Sequence, residues 1–134
     1  MGALPMAEAV MQQGVRAERQ LAVVLFAQLR NFEQIADMLD PEVVMNLVNE
    51  FLALIGETAA PFDGESLGVQ NDTAMVVFRG APALQTAQSA AQTALQLQVE
   101  LTGLAERWKN DYGVQTATAM ACLQMNLDHW PSIL

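Results

Sequence analysis

The chain opens its ordered pattern with an uninterrupted apolar run, Leu21, Ala22, Val23, Val24, Leu25 and Phe26. A run this short, rich in β-branched and aromatic residues, predicts a buried central strand over residues 20–27. The period then changes. Asn31 is placed to cap a short helix ending near Leu39. Asp40-Pro41-Glu42 restarts a helix: an Asp at the cap position, Pro at the first helical position and an acid in the first turn. This second helix runs to about Thr58. Val44, Leu47, Val48, Phe51 and Ile55 form its core stripe, and Met45, Leu52 and Leu54 widen the apolar arc beyond one side.

Phe62-Asp63-Gly64 reads as a turn. Residues 65–69 and 73–78 read as two strands joined at a Gln70-Asn71-Asp72 tip. Gly80-Ala81-Pro82 breaks the chain. A long helix follows over residues 84–109, with Gln85, Gln88, Gln92, Thr93 and Gln96 assigned to its exposed face. After Gly113, residues 114–123 alternate as a last strand. Upstream, residues 3–19 suggest a loosely amphipathic helix, with Pro5 in its first turn. The order is β-α(α)-β-β-α-β after one helix. It predicts an α+β fold, a ferredoxin-like βαββαβ sandwich (residues 20–134) preceded by a short N-terminal helix or connector (residues 1–19). Both long helices would share one face of the sheet. A second copy is the simplest cover for the other.

Composition narrows the partners. The 134 residues carry fifteen acids against six basic residues, a net charge of −9. The bases do not cluster, which argues against nucleic acid and anionic membranes. Charged residues make up 16% of the chain, against about 25% in typical domains. That balance favours a homodimer or another protein partner. No apolar run in the sequence approaches the ~20 residues of a membrane span, so no membrane insertion is expected. With no cationic leader pattern, a cytoplasmic location is the expectation. Cys122 is the single cysteine, read as an inert thiol buried in an apolar strand. His129 has Asp128 beside it but no nucleophile at a defined spacing.

Several blocks in order resemble class III adenylate/guanylate cyclase catalytic domains, from about Leu21 to Met125. LAVVLFAQLRNFE is similar to the family's "VLFADIRGFT", and LDPEVVMNLVNEFLALI to its "LDPEEVVELLNEYF" helix. PFDGESLGVQNDTAMVVFRGAP is similar to the "GGTVDKFIGDALMAVFGAP" hairpin, and Glu106-Arg107-Trp108 to the end of "LNARW". The resemblance implies two metal-binding Asp positions. The first falls on Gln28 and the second on Asp72. The position of a purine-reading Lys falls on Gly68, and an adjacent family Asp on Leu67. The "GIHTGEVVVGNIG" stretch finds no glycine match in ATAMACLQMNLDHW.

A neutral amide replaces a carboxylate poorly at a Mg²⁺ or Mn²⁺ site. The resemblance therefore implies a pseudoenzyme that acts by protein association in a bacterial-type signalling or assembly system. Met45, Leu52 and Leu54, with Gln88, Gln92 and Gln96, are the expected interface, since an uncharged amide face suits a contact surface. The alternative is a nucleotide sensor. It would bind ATP, GTP or a cyclic nucleotide weakly through a vestigial Mg/Mn-nucleotide site at Arg30, Asn31 and Asp72, with Asp72 as the metal ligand. A cyclase subunit completed by a partner ranks last. Each of these residues also has an ordinary reading. Arg30 suits a solvated helix start, and Asp72 suits a hairpin tip by turn chemistry alone.

Overall fold

A computed structural model describes residues 21–80 and 82–126. The helix expected over residues 3–19 and the tail bearing Asp128 and His129 lie outside the described residues. The chain runs β1 (Leu21–Leu29), α1 (Phe32–Met38), α2 (Pro41–Ala59), a 3-10 turn (Ala60–Phe62), β2 (Gly64–Gln70), β3 (Thr73–Phe78), α3 (Ala83–Tyr112) and β4 (Thr118–Asn126). The strands form one sheet in the order β2-β3-β1-β4, antiparallel throughout. This is the expected ferredoxin-like arrangement.

The apolar run of β1 is explained by its place. It pairs on both edges and is covered on both faces. Val23, Leu25, Ala27 and Leu29 join Ala74, Val76 and Phe78 of β3 against the helices, where Leu47, Phe51 and Ile55 of α2 and Leu97, Leu101, Leu104 and Trp108 of α3 complete one core. Alternate residues point the other way, as a period of two requires. Ala22, Val24, Met75 and Val77 form a second cluster with Phe26 and Leu67 partly buried. Those four are at most 7% exposed within the single chain. The centre of this face is therefore not the bare surface that the sequence reading offered to a second copy.

Three other expectations change. Leu54 falls two helical turns after Leu47 and shares its sheet-facing side, while Leu52 flanks the buried stripe. Both pack partly against the core, and of the proposed trio Met45 alone is exposed, at 60%. Thr93 is fully buried, not part of the Gln face: it lies between Ala90 and Leu97 at three- and four-residue spacing, and its hydroxyl donates to the Ser89 carbonyl at 2.8 Å. Gln85, Gln88, Gln92 and Gln96 are exposed as expected. Cys122 is exposed because β4 is an edge strand.

Helix ends follow local chemistry. Gly113 ends α3 in the left-handed region at φ 68°, donating its N–H to the Lys109 carbonyl. Neither Asn31 nor Asp40 caps through its side chain, and Asn31 is itself left-handed at φ 63°. Glu50 ties α2 to α3, accepting from Arg107 at 2.9 Å and from the Trp108 indole at 3.4 Å. The stretch Pro41–Phe62 is long and apolar enough to cross a membrane by length and composition, which the sequence reading did not anticipate. Here its apolar side lies on the sheet, with Leu47, Phe51 and Ile55 buried.

Candidate functional site

The ends of β1 and β3 meet at the top of the sheet. Gln28 pairs with Thr73 across the ladder, and the Leu29 amide donates to the Asp72 carbonyl at 2.9 Å. This register brings two side chains 44 residues apart into contact: Gln28 Nε2 donates to Asp72 Oδ2 at 3.1 Å. The other carboxylate oxygen, Oδ1, accepts from Thr73 Oγ1 at 3.0 Å. An amide beside a carboxylate must present its NH₂, because its oxygen would be repelled. Asn71 makes the hairpin tip possible by adopting φ 56°, a conformation Asn tolerates.

A cleft of about 650 Å³ lies beside this pair, lined by Gln28, Arg30, Asn31 and Asp72 on one side and Gln115, Thr116 and Ala117 on the other. The structure thus gathers all three residues named for a nucleotide, Arg30, Asn31 and Asp72, around one space. The residues expected at an interface, Met45, Leu52, Leu54, Gln88, Gln92 and Gln96, lie elsewhere, on α2 and α3. The wall at 115–117 was missed because residues 114–117 were read as strand. β4 begins only at Thr118, and Val114 is buried as the chain returns from α3. The Arg30 amide donates to the Ala117 carbonyl at 2.8 Å, and Thr116 Oγ1 donates to the Arg30 carbonyl at 2.8 Å. The pairing of Leu29 with Thr118 puts Ala117 opposite Arg30, a register that the local alternation of residues does not encode.

The donor set at Asp72 does not fit a divalent metal. It offers one carboxylate, both of whose oxygens already accept hydrogen bonds, and a neutral amide turned with its donor inward. Mg²⁺ and Mn²⁺ favour carboxylate-rich oxygen sets. Among the described residues, no three His, Cys, Asp or Glu side chains come together. Gly68 lies in a β-bulge of β2 at φ 95°, a conformation that disfavours any side chain, and its neighbour Leu67 packs on the second cluster.

The fold is that of the class III adenylyl/guanylyl cyclase catalytic domain. The adenylyl cyclase CyaB from P. aeruginosa superposes with a TM-score of 0.71 at 19% identity, covering 78% of this chain and 55% of that one. The guanylyl cyclase Cya2 gives 0.69 at 20% identity, covering 81% and 56%. The guanylate cyclase domain of RhGC from Catenaria anguillulae, solved in complex with GTP, gives 0.61 at 18% identity, covering 79% and 57%. The chain therefore spans little more than half the length of these structures. No protein-family model and no curated protein sequence matches it.

Proposed function

We propose that this chain is a catalytically inactive cyclase-fold domain that works by protein association, through a homodimer or by docking to a signalling or assembly partner. The observation that carries the reading is the Gln28–Asp72 hydrogen bond at 3.1 Å. It places an amide donor where the resemblance assigns a metal-binding carboxylate. Two-metal chemistry needs charged oxygen ligands to neutralise a triphosphate and activate a hydroxyl. One carboxylate held by Gln28 and Thr73 does not supply them. The low charged fraction, 16%, and the exposed Gln85, Gln88, Gln92 and Gln96 side of α3 support association.

The test pairs two assays on the purified chain. Sedimentation from low to high micromolar concentration, alone and with candidate partners, should show a complex. Incubation with Mn²⁺-ATP or Mn²⁺-GTP should yield no cyclic nucleotide. Turnover abolished by Asp72→Ala would overturn the inactive reading. A strict monomer that engages no protein would overturn the association.

The 650 Å³ cleft favours a second reading, a weak nucleotide sensor. Its volume lies in the range of small-molecule sites, and Arg30 stands at its rim. Saturable nucleotide binding lost in Asp72→Ala would put this reading first.

A further inference from the structure

Both faces of the sheet are buried at their centre, but the described helices account for only one of them. α1, α2 and α3 all contribute to the core that contains Leu25 and Val76. The opposite cluster is Ala22, Val24, Met75 and Val77, with Phe26 and Leu67 beside it, and among the described residues it holds strand residues alone. Yet Val24 is 0% exposed, Val77 1% and Met75 7%. Neighbours on the same pleated surface shield the flanks of a side chain and leave its end open. Closing off those ends takes a second layer.

Exposure on this face outlines the layer. Opposed residues in an antiparallel ladder share a face, so Leu123 stands beside Val24 and Ala121 beside Phe26. Both are exposed, Leu123 at 53%. On the far side Glu65, opposite Val77, is exposed too. The covered strip is therefore β1 and β3. Two strands about 4.8 Å apart make a strip about 10 Å wide. That is the diameter of one helix with its side chains, about 10–12 Å. One helix laid along β1 fits this outline, whereas a second sheet would shade β2 and β4 as well.

We infer that this face is the seat of the chain's own residues 3–19, which cover it as an amphipathic helix. They lead directly into β1, and the cluster opens at Ala22, just past Arg19. In helical spacing Ala7, Val10, Met11 and Gly14 fall on one side, and Glu8, Gln12, Arg16 and Arg19 on the other. A helix over these residues is about 25 Å long, ample for the ~13 Å from Ala22 to Phe26. Charge favours this occupant. Glu8 and Glu18 balance Arg16 and Arg19, so the segment docks without the repulsion that a second chain of net charge −9 would meet. The residues after β4, Leu127-Asp128-His129-Trp130-Pro131, offer no such stripe and carry a proline. The face is then closed to any protein that does not displace the segment.

Methionine oxidation tests the cover directly. Hydrogen peroxide converts an accessible Met to its sulfoxide. Met45, 60% exposed on α2, is the internal reference for Met75 at 7%, and digestion after glutamate places the two in separate peptides for mass spectrometry. In the intact chain Met75 should oxidise roughly tenfold more slowly than Met45, in line with their exposures. Val10→Lys should raise the Met75 rate at least about threefold, because a charge on the apolar side unseats the helix. Gln12→Lys, on the polar side, should leave it unchanged. Removing residues 2–19 should bring the Met75 rate close to that of Met45 while circular dichroism stays native; where the truncated chain fails to fold, the two lysine variants decide. A Met75 rate that Val10→Lys leaves unchanged, or that Gln12→Lys raises equally, would overturn the inference. So would protection lost on removing residues 127–134 instead, which would make that segment the cover. Protection that fades on dilution would overturn it as well, in favour of a second copy.

Discussion

Replacing Gln28 with Asp probes the site most sharply, because it writes back the carboxylate that the resemblance assigns there. Gln28→Asp removes the 3.1 Å donor from Asp72 Oδ2 and sets two like charges at the ends of β1 and β3. A hydrogen bond to a charged group contributes about 1.5–3 kcal/mol when shielded. Gln28 is exposed and Asp72 half-buried, so solvent screening brings the loss to about 1 kcal/mol. Two carboxylates about 4 Å apart in a water-like medium repel by about 1 kcal/mol more. Together this is about 2 kcal/mol, and for a domain of this size it should lower Tm by roughly 6–10 °C.

Millimolar Mn²⁺ should restore most of that deficit, since paired carboxylates attract a hard cation. Thermal melts of both proteins with and without Mn²⁺ read both effects. A variant as stable as the wild type would refute the reasoning, and so would a wild type that gains as much from Mn²⁺ as the variant does.

Other outcomes follow from the packing. Gly64→Ala should cost about 1–3 kcal/mol in urea unfolding, because its Cβ would meet Phe78 Cε1 at 2.7 Å, Val76 Cγ1 at 2.8 Å and Ala59 Cβ at 2.9 Å. Phe51→Ala, which empties a fully buried site between α2 and the sheet, should cost about 3–5 kcal/mol. Gly68→Ala meets no atom within 4 Å, yet φ 95° makes it strained. It should lose about 1 kcal/mol, a smaller change than Gly64→Ala in the same titration. Partial burial pushes the Cys122 thiol above its ordinary pKa. Its thiolate fraction at pH 8 is therefore below that of a free cysteine, and its alkylation should be slower there and rise further at higher pH.

The fold was legible where one physical signal dominated. The apolar run of β1 has a single outcome, because a strand buried on both faces needs one, and Asp40-Pro41 and Gly113 punctuate helices through backbone rules alone. The candidate site was half legible. Gln28 and Asp72 were paired by family resemblance, but their contact depends on the β1–β3 register, which no local pattern encodes. The cleft wall at 115–117 was lost because a buried Val114 followed by alternation reads the same whether or not the strand has begun. Leu52 and Leu54 pack partly against the core for a related reason. An apolar arc wider than one stripe does not say whether its flanks face a partner or the chain's own core.

The central claim is that the Gln28–Asp72 pair no longer supports a metal-nucleotide site. A thermal-shift titration with Mn²⁺-ATP and Mn²⁺-GTP, with Asp72→Ala alongside, tests it most directly. Ligand at about 100 times its Kd adds roughly 2.7 kcal/mol of stability, a rise of several degrees. The account predicts no saturable shift at millimolar nucleotide in either protein. A saturable shift in the wild type that Asp72→Ala removes would contradict it.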